Sequence, residues 1–68
     1  MKLYHYTSNK YLKTFKGKIV YAWETLEQAK EWEYLEGGKG KIIKFEVLSA
    51  RKYINYYLAK VEDIIKVY

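Results

Sequence analysis

The one histidine of the chain, His5, stands in the run LYHYTS between two tyrosines, with Thr7 and Ser8 just beyond. An imidazole titrates near neutrality and can move protons or bind a metal, so chemistry is most readily placed here. A catalytic triad needs a nucleophile and an orienting acid brought to the same point, and the sequence holds no G-x-S-x-G, no paired cysteines and no His-x-x-x-His spacing. With no cysteine and a single histidine, only carboxylates remain as further metal ligands, and no metal site is expected. Period-two alternation puts Leu3, His5 and Thr7 on one side of a strand and Lys2, Tyr4 and Tyr6 on the other. Leu3 makes the His5 side the inner one.

The second store of chemistry is aromatic and cationic. Nine Tyr, two Trp and two Phe make up 19% of the residues. Each ring buries about 150–250 Å², enough for a few to build the core of a short chain, while exposed ones make rigid contact anchors. Tyr53, Tyr56, Tyr57 and Tyr68, near the C-terminal end, are the expected protein-binding anchors. The net charge of +5 is unevenly spread: residues 24 to 36 carry five glutamates against Lys30, or −4, which leaves +9 elsewhere. An acidic segment set in a basic chain can neutralise the molecule's own basic face. Alternatively Lys10, Lys13, Lys16 and Lys18, adjoined by Lys39, Lys41 and Lys44 and interleaved with Tyr11 and Tyr21, form a nucleic-acid surface. Arg51 is the only arginine, which weakens that reading, because Arg is the usual bidentate reader of phosphate and guanine.

These residues need elements to position them. The opening strand leads into a short helix predicted over Asn9 to Phe15, capped by Thr7 or Ser8 and stopped at Gly17, with Tyr11, Leu12 and Phe15 at helical spacing. KIVYAW, residues 18 to 23, is β-branched and aromatic and reads as a strand. In ETLEQAKEWEYLEGG, Thr25 and Gln28 form a T-x-x-Q capping box, Leu26, Ala29, Trp32 and Leu35 recur, and Gly37-Gly38 ends the helix. KIIKFEVL, residues 41 to 48, is a strand with Ile43, Phe45 and Val47 on one face and Lys44 and Glu46 on the other. YINYYLAKV and EDIIKVY read as two further strands, and INYYL, with few charges, is a candidate edge for pairing with a second copy. The expectation is one α+β domain over residues 1 to 68: a small antiparallel or mixed sheet of four to five strands with two helices, in the order β-α-β-α-β-β-β. A core of this size supplies on the order of 3–5 kcal/mol.

LYHYTS, VYAWETLEQAKEW and GKIIKFEVLS together resemble the ADP-ribosyltransferase superfamily, in particular the small bacterial domains similar to RNA 2′-phosphotransferases and DNA-modifying toxins. In such families an opening strand ends in His-x-Thr-Ser, and a later strand ends in a Tyr. The resemblance implies that NAD is the cofactor and that His5 hydrogen-bonds the nicotinamide-side ribose. It implies too that Tyr21 stacks on the nicotinamide and that Glu46 serves the ribose 2′-hydroxyl. Tyr6 stands where the family commonly has Gly, and a pocket for a ligand of that size needs several hundred Å³ of enclosed space.

From the residues themselves the expected function is a small non-enzymatic binding module without a cofactor, a phage- or mobile-element-encoded protein that binds or inhibits a host or defence protein. The alternatives are a minimal ADP-ribosyltransferase-like domain and a basic nucleic-acid-binding module; a homodimer is open as well. No apolar run approaches the roughly 18–20 residues that span a bilayer, and the start lacks an apolar signal region, so a soluble cytoplasmic protein without a membrane partner is expected.

Overall fold

A computed structural model of the chain describes residues 1–8, 15–35 and 40–68. Four strands and one helix run in the order β1 (Lys2–Thr7), β2 (Ile19–Ala22), α1 (Leu26–Leu35), β3 (Lys41–Lys52) and β4 (Tyr57–Val67). All pairings are antiparallel, and the spatial order is β1-β3-β4-β2. This corrects the expected β-α-β-α-β-β-β order with two helices. Among the described residues there is one helix and no fifth strand, and the sheet dominates. The helix expected over Asn9 to Phe15 lies outside the described residues except for Phe15. The two strands expected after residue 52 are one: β4 continues through the Glu62-Asp63 charges, and residues 53 to 56 form the turn that precedes it. INYYL is therefore not an edge strand.

The β3-β4 hairpin is the spine. β1 pairs with the first half of β3, matching Leu3 to Phe45 and His5 to Ile43, while β2 pairs with the first half of β4, matching Val20 to Ala59. The register between β3 and β4 shifts at Lys44/Phe45, Glu46/Val47 and Val47/Ser49. Such bulges bend a strand and increase its twist. Curled in this way, the sheet brings its two outer strands together: Tyr4 N–H donates to Trp23 O and Trp23 N–H to Tyr4 O, both at 2.8 Å. The ring of pairing closes at that point, which relieves both edges there.

Two apolar layers result. Inside the curl, Leu3, Ala22, Ile43, Phe45, Ala59 and Val61 from all four strands pack with Phe15 and Tyr57. Ile43 and Phe45 are completely buried and Val47 packs against them, the face that alternation assigned. Leu3 and Thr7 are buried on the same side as His5. On the outer face α1 covers the sheet, with Ala29 and Leu26 set against Ile42, Trp23, Tyr4 and Tyr6. The helix begins as its sequence dictates. Gln28 N–H donates to Thr25 Oγ1 and Thr25 N–H to Gln28 Oε1, both at 3.2 Å, so two otherwise orphaned amides are satisfied.

Two glycines have backbone reasons. Gly17 adopts φ of 81°, which L side chains rarely adopt, where the chain turns into β2. Gly40 lies against the backbone and ring of β1: a Cβ there would sit 2.3 Å from Thr7 O and 2.7 Å from the Tyr6 ring. No helix of the described residues is long and apolar enough to cross a membrane.

Candidate functional site

His5 is placed by the closure of the sheet. Its Nδ1 lies 2.6 Å from Tyr21 O, tying β1 to β2 one step beyond the Tyr4–Trp23 bridge. A carbonyl oxygen only accepts, so Nδ1 carries the proton and Nε2 is left with the lone pair. The Phe15 ring meets the imidazole edge-on at 5.5 Å. Burial pushes the His5 pKa below its ordinary value, and the hydrogen bond to Tyr21 only partly opposes this. The imidazole is accordingly neutral at physiological pH.

Beside it opens a cleft of about 660 Å³, lined by His5, Tyr21, Trp23, Trp32, Asn55 and Tyr56, with Tyr6, Thr7 and Ser8 at its end. A second cleft of about 380 Å³ shares Trp23, Trp32, Asn55 and Tyr56 with the first and continues to Glu24, Glu31, Lys52 and Tyr53. The two are lobes of one trough. Its walls come from α1 on one side and the 53–56 turn on the other, with the end of β2 between them.

The rings that form the trough are held against each other. Tyr53 and Tyr56 stack at 4.9 Å with only 11° between their planes, and Tyr21 meets Tyr56 edge-on at 5.3 Å. Trp23 and Trp32 lie 5.5 Å apart, tilted by 33°. Tyr53 N–H donates to Tyr56 O at 2.8 Å and closes the turn, which leaves Ile54 at its tip 96% exposed. Tyr57 is turned into the core and donates its O–H to Glu24, an interaction that pushes the phenol's pKa up. Glu24 also pairs with Lys52 at 3.7 Å.

The expected site residues therefore fall in different places. His5 and Tyr21 share the larger lobe. Glu46 does not line the trough: it stands opposite Lys2 on β3, with Oε1 3.4 Å from the Met1 amino group. Tyr53, Tyr56 and Tyr57 gather at the smaller lobe, Tyr57 by a buried ring, whereas Tyr68 lies elsewhere, packed 6.1 Å from Tyr4. Lys10, Lys13, Tyr11 and Lys39 lie outside the described residues. Lys16 is paired with Asp63 at 3.8 Å, and Lys44 sits over the Tyr4 ring at 5.7 Å.

Sequence reasoning missed Trp23, Trp32, Glu31 and Ile54 as site residues. Trp32 has a readable signal. A repeat of three drifts by about 60° per step on a helix of 3.6 residues per turn, so Trp32 is rotated roughly 120° from Leu26 and out of the buried stripe. It is 43% exposed.

Among the described residues no group of three or more His, Cys, Asp or Glu side chains is arranged to hold a metal ion. Among the described residues the trough offers π surface, the Glu24 and Glu31 carboxylates, the Lys52 ammonium, one neutral imidazole and amide groups, an arrangement suited to recognition. Comparison with protein-family models, with curated proteins and with solved structures returns no match for this chain.

Proposed function

We propose that the chain is a small non-enzymatic binding module whose aromatic trough and 53–56 turn grip a partner protein. It would act as an inhibitor of a host or defence protein carried by a phage or mobile element, an origin that rests on size and composition. The observation that carries the binding reading is Ile54. An isoleucine 96% exposed at the tip of a turn braced by stacked tyrosines, beside exposed Trp32 and Tyr21, is apolar surface held in place. Rigid aromatic and aliphatic anchors of this kind give interfaces most of their binding energy. Nucleic-acid binding is less favoured because several described cations are already engaged: Lys16 by Asp63, Lys52 by Glu24, and Lys44 and Lys66 over tyrosine rings.

The test is capture from a bacterial lysate by the tagged chain and by its Ile54→Asp and Tyr56→Ala variants. One stoichiometric protein held by the parent chain and lost from Ile54→Asp supports the reading. Capture of nothing above background, or equal capture by all three, rejects it.

A second reading, a minimal ADP-ribosyltransferase-like domain that binds NAD, is favoured by the shared lobe of His5 and Tyr21. It requires Glu46 to act from a position where it meets the Met1 amino group instead. Release of nicotinamide from NAD, abolished by His5→Ala and by Glu46→Gln, would establish it; no release discards it.

A further inference from the structure

Among the described residues, the lining of the smaller lobe carries a charge opposite to that of the chain, Glu24 and Glu31 against Lys52. Its polar walls include Glu24, Glu31 and Gln28, while the chain as a whole is at +5. Lys52 is the one cation lining it among the described residues, and it is already paired with Glu24. Glu31, by contrast, has no ion pair among the described residues.

The rings of this lobe are of the kind that hold cations, and two of its tyrosines already do so. The Arg51 guanidinium lies 5.6 Å from the centroid of Tyr53, and Lys52 Nζ lies 5.9 Å from that of Tyr57. The electron-rich face of an aromatic ring attracts a cation, and indole attracts it most strongly. Trp23 and Trp32 carry no such cation among the described residues, although Trp32 is 43% exposed and shares the lobe with Glu31. Volume fits as well: about 380 Å³ is room for one long side chain and its head group, not for a folded segment.

We propose that the smaller lobe is the seat of a lysine or arginine side chain presented by a basic segment of the partner protein, its head group set against Trp32 and Glu31. This rests on the protein-binding reading above and names the chemistry of the partner. Ile54 at the lip would cover the aliphatic stem of the incoming side chain, as long cationic residues bury their stems while their heads remain polar. The seat differs from the larger lobe, which shares Trp23 and Trp32 but has no carboxylate among its described lining residues to pair with a cation.

Trp23 and Trp32 are the only tryptophans of the chain and line both lobes, so their fluorescence and indole N–H resonances report occupancy of the trough, and the response to substitution of Glu31, which lines the smaller lobe alone, assigns it to that lobe. The probes are blocked tripeptides Gly-Lys-Gly, Gly-Arg-Gly, Gly-Leu-Gly and Gly-Glu-Gly, titrated to millimolar concentration, with choline as a small-molecule cation. The expected result is saturable perturbation of both indoles by the Lys and Arg peptides and at least tenfold weaker response to the Leu and Glu peptides. Glu31→Gln and Trp32→Leu, both at exposed positions and each checked for an unchanged backbone NMR fingerprint, should each weaken the basic peptides several-fold.

Equal binding of the Leu peptide, no perturbation by basic peptides, or basic-peptide binding unaffected by Glu31→Gln overturns the proposal. Choline binding more tightly than either basic peptide overturns it in favour of a small-molecule cation site. A lysate partner lost from Ile54→Asp but held fully by Glu31→Gln and Trp32→Leu keeps the binding module and removes the cationic seat, so the two claims fail separately.

Discussion

At the scale of single residues, His5 works as a clasp. Its Nδ1–H reaches Tyr21 O across the junction between the outer strands, and its burial favours the neutral ring. A histidine whose folded pKa is lowered binds fewer protons folded than unfolded just below the ordinary value of 6.5. Stability from this group is thus complete above pH 6.5 and is lost as pH falls towards the lower folded pKa. Urea unfolding from pH 8 to pH 5 should show the parent chain losing stability through this window, and His5→Gln losing less. Equal slopes in both would place the effect on other groups. Gly40 is the other residue with a single-atom argument. Gly40→Ala forces a methyl against Thr7 O, a backbone atom that cannot step aside as a side chain can. The expected loss is about 1–3 kcal/mol, the usual cost of overpacking, read from the urea midpoint.

At the scale of elements, α1 is short, and its start is fixed by reciprocal bonds between Thr25 and Gln28. Thr25→Ala removes the cap and should cost about 1 kcal/mol in unfolding free energy. Because Trp32 rides on this helix, the same variant should also broaden its indole N–H resonance, linking the cap to the trough. The helix was legible in the sequence because capping and periodicity are local. The hairpin turn was not. YINYY is made of β-formers with Asn55 as its only strong turn residue, and nothing local says that the chain reverses there. What reverses it is the pairing of β3 with β4, in which Lys52 meets Tyr57. Likewise the Glu62-Asp63 pair looks like a break between two strands, but β4 runs on through it in an exposed stretch, with Glu62 skipped by the register and Asp63 set opposite Glu46.

At the scale of the whole molecule, the sheet manages its own edges. β1 and β2 meet through Tyr4 and Trp23, and the part of β3 beyond β1, residues 48 to 52, is exposed and ends in Arg51 and Lys52. Positive charge on an open edge discourages pairing with a second copy, since the same charges would face each other. The expected outcome in sedimentation at high micromolar concentration is a monomer of 8.2 kDa. A concentration-dependent dimer, abolished by an added charge at Leu48, would show that this edge associates after all.

The sequence by itself determined the strand that carries His5, the face on which that residue lies, the capped helix, and the alternation that buries Ile43 and Phe45. Each of these is written in the spacing of near neighbours. Only the tertiary structure decided that two expected C-terminal strands are one, that Tyr57 enters the core while Tyr53 and Tyr56 stack at the surface, and that Glu46 lies away from His5 and Tyr21. The bulges that curl β3 and β4 bring together residues far apart in the chain, and no local periodicity encodes which distant partner a strand will meet. The trough is a product of that curl, with Trp23, Trp32 and the 53–56 turn supplied by three separate stretches of sequence.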